Sequence, residues 1–455
     1  MRRLVAQLVS HPISAVGVVL AAASGCVFAG LVLLHLLGSP GTPYGDIVVF
    51  VMLPALFAVG LLLMPIGLWF RRKRPRTPAV GEAVWPRLDL NVPETRRALF
   101  FVTAATFVSL VTLSFASQRA VEYSESQQFC GQTCHQPMGP HFTAHQNGLH
   151  SRVGCVECHI EPGAQGFLKA KLNGTNQLRL VISNGYPRPI VSPTHTARPN
   201  VYTSCEQCHW PDRFIGDVVK TVYEFADDEA NSKTMTTLRL HVGGPVAGTG
   251  SGTGIHWHMN RSNVVEYVAR DETLEQIPYV RVATPDGTVR EYFAKGVSAG
   301  DLEGRPRRRM GCIDCHNRPA HKFASAPERA VDEAMGAGLI STRIPFIRRE
   351  VVRALKVGYP SQDAALAGID RDIRGAIGAG KTEGFDENAL RQAVAVSRAI
   401  YRTNIFPDMK ISWGTYPDRV GHTVSQGCFR CHDESLVTKD GRVLGQDCEL
   451  CHSIE

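Results

Sequence analysis

Twelve of the 13 cysteines in this 455-residue chain fall in six pairs, and each pair is followed at once by a histidine. Five are strict C-x-x-C-H: Cys155/Cys158/His159, Cys205/Cys208/His209, Cys312/Cys315/His316, Cys428/Cys431/His432 and Cys448/Cys451/His452. The sixth, Cys130/Cys134/His135, carries one extra residue. Chance at this composition gives about 0.01 strict matches, so five are no accident, and the pattern is the attachment signature of c-type haem. The spacing has a physical cause. Two thiols separated by two residues reach both vinyl groups of one porphyrin as thioethers, and the next imidazole meets the iron from one side. A secreted disulfide scaffold has no use for a histidine after every second cysteine, and zinc ribbons join two C-x-x-C units without one.

Six covalently bound haems are therefore expected, all between Cys130 and His452. Residues 118–455 give them roughly 56 residues apiece, too few for six separate apolar cores. The expected fold is mainly α and irregular: a loop-rich multihaem cytochrome c domain whose macrocycles supply much of the interior. Their propionates make it more acidic than the residues alone. Beyond the motif histidines this part holds nine more, namely His141, His145, His150, His195, His241, His256, His258, His321 and His422, so at least three serve another purpose. The candidates for second axial ligand are His150, His256, His258, His321 and His422, then His195. Met138, three residues after His135, is a candidate for the first iron, with plain packing as its alternative. An iron with both axial positions filled carries electrons rather than binding substrate.

Three apolar runs precede the motifs. Ile13 to Leu37, Ile47 to Phe70 and Ala98 to Ala116 are 25, 24 and 19 residues long and contain no Asp, Glu, Lys or Arg. Each is long enough to cross roughly 30 Å of hydrocarbon as a helix, so three N-terminal transmembrane helices are expected within a membrane domain over residues 1–117. This segment holds 10 Lys and Arg against 4 Asp and Glu, and the remainder holds 39 against 38. The net positive charge thus belongs to the membrane part and is no nucleic-acid footprint. The loop at 38–46 has no Lys or Arg, whereas that at 71–97 has eight. With Arg2 and Arg3, this asymmetry puts the N-terminus in the cytoplasm and everything after Ala116 outside, where c-type haem is attached. Apolar residues continue for eleven positions past Cys26, which reads as a small buried hydrophobe in an uncleaved helix.

The gaps between motifs, 25, 50, 107, 116 and 20 residues, follow no fixed period. Gly243 to Gly254 has the composition of a flexible connector. Val264 to Phe293 alternates apolar and polar residues around Pro285-Asp286-Gly287, which predicts a small β-hairpin insertion at about 260–295. Asp386 to Arg402 places Leu390, Val394, Ser397 and Tyr401 on one helical face behind an Asp cap, and Arg348 to Leu355 is a second helical patch; both read as haem-covering structure. The expected plan is a four-haem domain over 118–325 and, over 326–455, a helical segment followed by a two-haem module.

From Cys130 through His321 the chain resembles the NapC/NirT family of membrane-anchored multihaem quinol dehydrogenases, which includes the NrfH-type cytochromes. The matching pieces are CGQTCHQPM, NGLHSRVGCVECH, CEQCHWP and MGCIDCHNRPAHKF. With three preceding helices and two added haems it looks like the larger ImcH-type inner-membrane cytochromes. GIHWHM, and NIFPDMKISWGTYPDRVGH with GCFRCH, look like segments of larger periplasmic multihaem cytochromes. The resemblance implies that the first haem lies at the membrane surface beside the quinol, and that the histidines matching His150 and His321 serve neighbouring haems. It also implies a lysine and an acidic residue by the quinol after the second motif. Lys169 and Lys171 are available, but no Asp or Glu occurs from Pro162 to Ser204, and Asn176 or Gln177 stands in that place.

Quinol oxidation needs a base for the protons and a cation or hydrogen-bond donor for the oxygen, which makes Lys169, Lys171, Asn176 and Arg179 the candidate quinol site. The plain alternative for such lysines is a lipid-facing or solvated position. The expected function is a hexahaem cytochrome of the bacterial cytoplasmic (inner) membrane that oxidises quinol from the membrane pool at its outer face. Its electrons would pass to periplasmic cytochromes. One alternative is a non-catalytic wiring and anchor subunit of a larger membrane respiratory complex, docked through small residues such as Ala21 to Gly25. Another, a terminal reductase at a five-coordinate haem, is opposed by the surplus of candidate ligands.

Overall fold

A computed structural model describes residues 11–36, 52–72, 90–133, 135–190, 204–210, 214–245, 252–379 and 386–455. The chain separates into two compact units, Met1–Thr133 and Cys134–Glu455.

The first unit contains helices α1 (Pro12–Leu36), α2 (Leu53–Arg72) and α3 (Pro93–Glu125). Small residues let α1 and α2 approach closely: a Cβ on Gly60 would lie 2.6 Å from the Ala21 nitrogen and 2.8 Å from the Gly17 carbonyl oxygen. Ser14 Oγ also donates to the Met64 carbonyl across the pair at 2.8 Å. Where no water drives apolar faces together, such backbone contact and interhelical hydrogen bonding hold helices. Ala21 is buried against Gly60, and Gly25 faces the Phe57 ring, so both of these small residues face α2. Phe28, Leu53 and Ala116 join the three helices in a small apolar cluster. Among the described residues, Pro12–Leu31 is long and apolar enough to cross a membrane, and the apolar part of α2, Leu53–Gly67, is shorter. Leu37 and residues 47–51 of the expected spans lie outside the described residues. α3 starts with proline in its first turn, where the missing N–H costs nothing, and runs past the expected 98–116 at both ends.

The second unit opens with α4 (His135–Gln146) and α5 (Ala164–Ile182). Strands β1 (Asp217–Phe225) and β2 (Lys233–His241) then form an antiparallel hairpin, with Asp217 opposite His241. Sequence reading did not anticipate it, although the β-branched residues of VVKTVYEF and KTMTTLRL favour a pleated surface. The Gly-rich connector is pinned where β3 (Gly244–Pro245) pairs with β4 (Gly252–Thr253); residues 246–251 lie outside the described residues. The insertion at 260–295 is a three-stranded meander, β5 (Val264–Val268), β6 (Tyr279–Ala283) and β7 (Val289–Ala294), rather than a lone hairpin. Short β8 (Arg308–Arg309) and β9 (Leu436–Val437) extend it to the order β8-β5-β6-β7-β9. β10 (His452–Ile454) adds to β2. The last two motifs are therefore bound into both sheets.

Between the fourth and fifth motifs, α6 (Pro327–Gly336), α7 (Ile347–Lys356), α8 (Gln362–Ala379) and α9 (Glu387–Asn404) share an apolar core that includes Ile340, Ile344, Val351, Ile369, Ile373 and Val394. Asp386 caps α9 by accepting from the Asn388 N–H at 2.8 Å, and Leu390, Val394, Ser397 and Tyr401 are buried along one face. These helices were expected only to cover haems. The 116-residue gap leaves room for a core without macrocycles.

Candidate haem sites

Each described motif is wound into a single tight turn. Cys155–His159 and Cys312–Cys315 are α-helical, and Cys205–Gln207, Gly427–Arg430 and Cys448–Leu450 are 3₁₀ turns. The motif histidine N–H bonds back to the first cysteine carbonyl in three of them, His209 to Cys205 at 2.9 Å, His316 to Cys312 at 2.8 Å and His432 to Cys428 at 3.1 Å. One turn thus sets two thiols and an imidazole side by side. The longer first motif lies on a π-helical turn, Phe129–Thr133, whose wider winding absorbs the added residue. Among the described residues no motif cysteine is joined in a disulfide; Cys134 lies outside the described residues.

Cys208 differs in exposure from its motif partner. It is exposed, whereas Cys205 of the same motif is half-buried with its Sγ 3.7 Å from Ser204 Oγ. The cause is local. Cys208 closes a turn of only three residues, and its neighbours Gln207, His209 and Trp210 are exposed with it. Cys428 and Cys448 are exposed as well, so at three motifs one attachment point stands at the surface of the chain.

Five motif histidines each face one other imidazole across a gap of nearly constant width. Ring centroids lie 6.1 Å apart for His159 and His321, 6.0 Å for His209 and His150, and 6.3 Å for His316 and His256. They lie 5.9 Å apart for His432 and His258 and 6.2 Å for His452 and His422. A metal ion holding an imidazole nitrogen on each side at ~2 Å separates ring centroids by roughly 6 Å. Stacked rings in direct contact come closer, as His422 does to Phe429 at 4.2 Å.

The other face of these rings is fixed by the backbone. Nδ1–H donates to the Pro319 carbonyl from His150 at 3.0 Å, to that of His141 from His321 at 2.9 Å and to that of Ile255 from His258 at 2.9 Å. His256 donates to Val242 at 3.2 Å and His432 to Gly445 at 2.9 Å. A carbonyl on Nδ1 selects the tautomer that leaves Nε2 with a free lone pair, the usual support of a metal-ligating histidine. Burial lowers the imidazole pKa of His159, His256, His258 and His316, and brings His321 to about 4. The rings are thereby held in the neutral form that ligates. The residues fit haem.

Local geometry aims these side chains. His256 and His258 share the turn Ile255–Met259, which begins after Gly254 at φ +71°; a Cβ there would collide with the His241 carbonyl oxygen. The loop carrying His422 is fastened by Arg419, whose Nε donates to Glu275 at 3.1 Å and whose N–H donates to Asn317 Oδ1 at 3.1 Å.

Of the remaining histidines, His141 and His145 are buried against His321, with centroids 5.6 and 5.9 Å away, and His241 pairs with Asp217 at 3.0 Å. His195 lies outside the described residues. Met138 is half-buried one turn into α4, which His135 begins. The four quinol-site candidates all fall on α5. There Arg179 donates to Asn176 Oδ1 through Nε at 3.2 Å and Nη2 at 3.1 Å, Lys171 Nζ lies 4.8 Å over the Phe167 ring, and Lys169 is exposed. Sequence reading passed over the carbonyls that orient the rings, and also Arg318, Phe323 and Tyr416, which pack around His141. Their residue types carry no signal of their own.

Residues 92–189 match the NapC/NirT cytochrome c family, N-terminal region. The cytochrome c-type protein ImcH of Geobacter sulfurreducens is 36% identical over 457 residues, spanning 98% of this chain and 88% of that protein. No solved structure matches the chain.

Proposed function

This chain belongs to the NapC/NirT cytochrome c family, in its ImcH-like form, and is a membrane-anchored multihaem c-type cytochrome; from that premise we propose that it is a six-haem quinol dehydrogenase. It oxidises quinol of the membrane pool at the outer face of the bacterial inner membrane and delivers the electrons to periplasmic cytochromes or a larger membrane respiratory complex. In this reading the three apolar runs all span the membrane, and the basic loop at 71–97 stays in the cytoplasm.

A bound haem c supplies one reversible electron. The twelve motif cysteines hold the six haems, and the motif histidines, His135 included, are the proximal ligands. His321, His150, His256, His258 and His422 are the distal ligands of the second to sixth haems in that order. Met138 and His195 are the candidates for the first.

The observation that carries the reading is the set of five imidazole pairs at 5.9–6.3 Å. Irons closed on both faces have no open position for substrate, which favours conduction over a terminal reductase. The pairs also interlock the loops. His150 leads into the second motif and faces the third, His321 follows the fourth and faces the second, His256 and His258 share one turn and face the fourth and fifth, and His422 leads into the fifth and faces the sixth. Each loop is held by its neighbour in an unbroken series of third, second, fourth, fifth and sixth motifs.

On α5, Leu168, Leu172 and Ile182 are exposed beside Lys169 and Arg179. Apolar and basic side chains mixed on one helix suit the headgroup boundary, where a quinol head is reached. Arg179 and Asn176 present donors to a quinol oxygen, and Lys169 and Lys171 supply positive charge.

The test is anaerobic mixing of the haem-loaded full chain in detergent with a reduced quinol analogue. Quinol should reduce the haems, and Arg179→Ala with Lys169→Ala should slow that reduction by about tenfold or more. Protein that dithionite reduces and quinol does not would contradict the dehydrogenase and leave the wiring subunit.

A further inference from the structure

Beside the ligand pairs lies a cluster with two buried, unpartnered nitrogens. Arg318, two residues after His316, has its guanidinium 3.7 Å from the Tyr416 ring centroid and 5.8 Å from that of Phe323. Its Nε is fully buried without a hydrogen-bond partner, and among the described residues it makes no ion pair. A guanidinium keeps its charge at neutral pH. His141 touches the same two rings, with centroids 5.6 Å from Tyr416 and 5.8 Å from Phe323, and its Nε2 is likewise buried and unpartnered. The Tyr416 hydroxyl is already committed, donating to the Ile190 carbonyl at 2.9 Å. Asp418 is the nearby acidic residue whose charge acts on this guanidinium, and no hydrogen bond or ion pair joins the two among the described residues; a largely buried cation with no directly bonded anion is unfavourable, and two orphaned nitrogens around one pair of rings share the cost.

We propose that Arg318, with His141 Nε2 beside it, binds a haem propionate, so that the cluster is the carboxylate end of a haem seat. The proposal rests on the haem reading above. Its chemistry is that of a guanidinium facing a carboxylate, a charge-assisted pair that a lysine reproduces only in charge. Neutralising a propionate favours the reduced iron electrostatically, so loss of the cation should lower the potential of the haem concerned.

The test is a redox titration of haem-loaded full-length protein, wild type against Arg318→Gln, Arg318→Lys and His141→Phe, with haem content and spin state measured on each. Arg318→Gln should keep its haems and lower one midpoint by about tenfold in the reduction equilibrium, which is 59 mV for a one-electron couple. Arg318→Lys should recover most of this, and His141→Phe should show a smaller shift of the same sign without new high-spin signal. Unchanged potentials in Arg318→Gln overturn the proposal. So does a high-spin haem in His141→Phe, which would make His141 an axial ligand, and so does a shift that depends on buffer chloride or acetate, which would mean a free anion. If Arg318→Gln is not recovered, the other two variants decide it alone. Wild-type protein without haem would instead remove the reading on which the proposal rests.

Discussion

A histidine can serve as a ligand when its ring is neutral and its far nitrogen is already engaged, and His258 meets both conditions in a few residues. Burial lowers its pKa, and the Ile255 carbonyl accepts its Nδ1–H at 2.9 Å. His258→Ala should therefore convert one low-spin haem to high-spin with the others unchanged, a result that electron paramagnetic resonance reads directly; an unaltered spectrum would exclude His258 as a ligand. His422→Ala should do the same for a different haem. The motif turns follow from local spacing, which sets two cysteines and a histidine within one turn of chain. Which distal imidazole faces which motif was not legible, since strands β1 to β8 lie between His159 and His321 in sequence. Arg318 was invisible for another reason. Nothing in a single arginine tells a buried, unpaired guanidinium from a solvated one.

At the level of elements, the sequence announced those with strong local codes. The capped, amphipathic stretch ending at Arg402 became α9, and the alternating run at 264–293 became strands. The β1–β2 hairpin was missed because its strands are largely exposed on both faces, so apolar and polar residues do not alternate cleanly along them. β9 and β10 are two and three residues long and exist only through pairing with distant strands. The turn carrying His256 and His258 depends on Gly254, where a side chain would strike the His241 carbonyl and strain a positive φ. Gly254→Val should cost both haems they face a ligand together, giving two high-spin haems in one variant; retention of a wild-type spectrum would contradict the coupling. In the helical bundle Ile373 is fully buried. Ile373→Ala should destabilise that bundle by about 2–5 kcal/mol in denaturant unfolding while leaving the haem spectrum of the folded protein unchanged.

Across the whole molecule two kinds of interior coexist. The α6 to α9 bundle and the β5–β7 meander each carry an apolar core, whereas the motif histidines meet the loops of other motifs at imidazole pairs. Chain made without haem attachment should then keep the bundle and loosen the motif loops: limited proteolysis should spare a fragment near residues 327–404 and cut those loops, and uniform resistance would contradict this division. Of the first unit, the apolar stretch Pro12–Leu31 was legible from length and composition, because crossing a bilayer demands little else. How that unit's helices pack was not, since that rests on single small residues such as Gly60 and Ser14. The most direct measurement is the intact mass of the full chain produced with a working haem-ligation apparatus. Six haem additions, with all twelve motif cysteines closed to alkylation, are expected. A bare polypeptide mass, or cysteines paired as disulfides, would contradict the account.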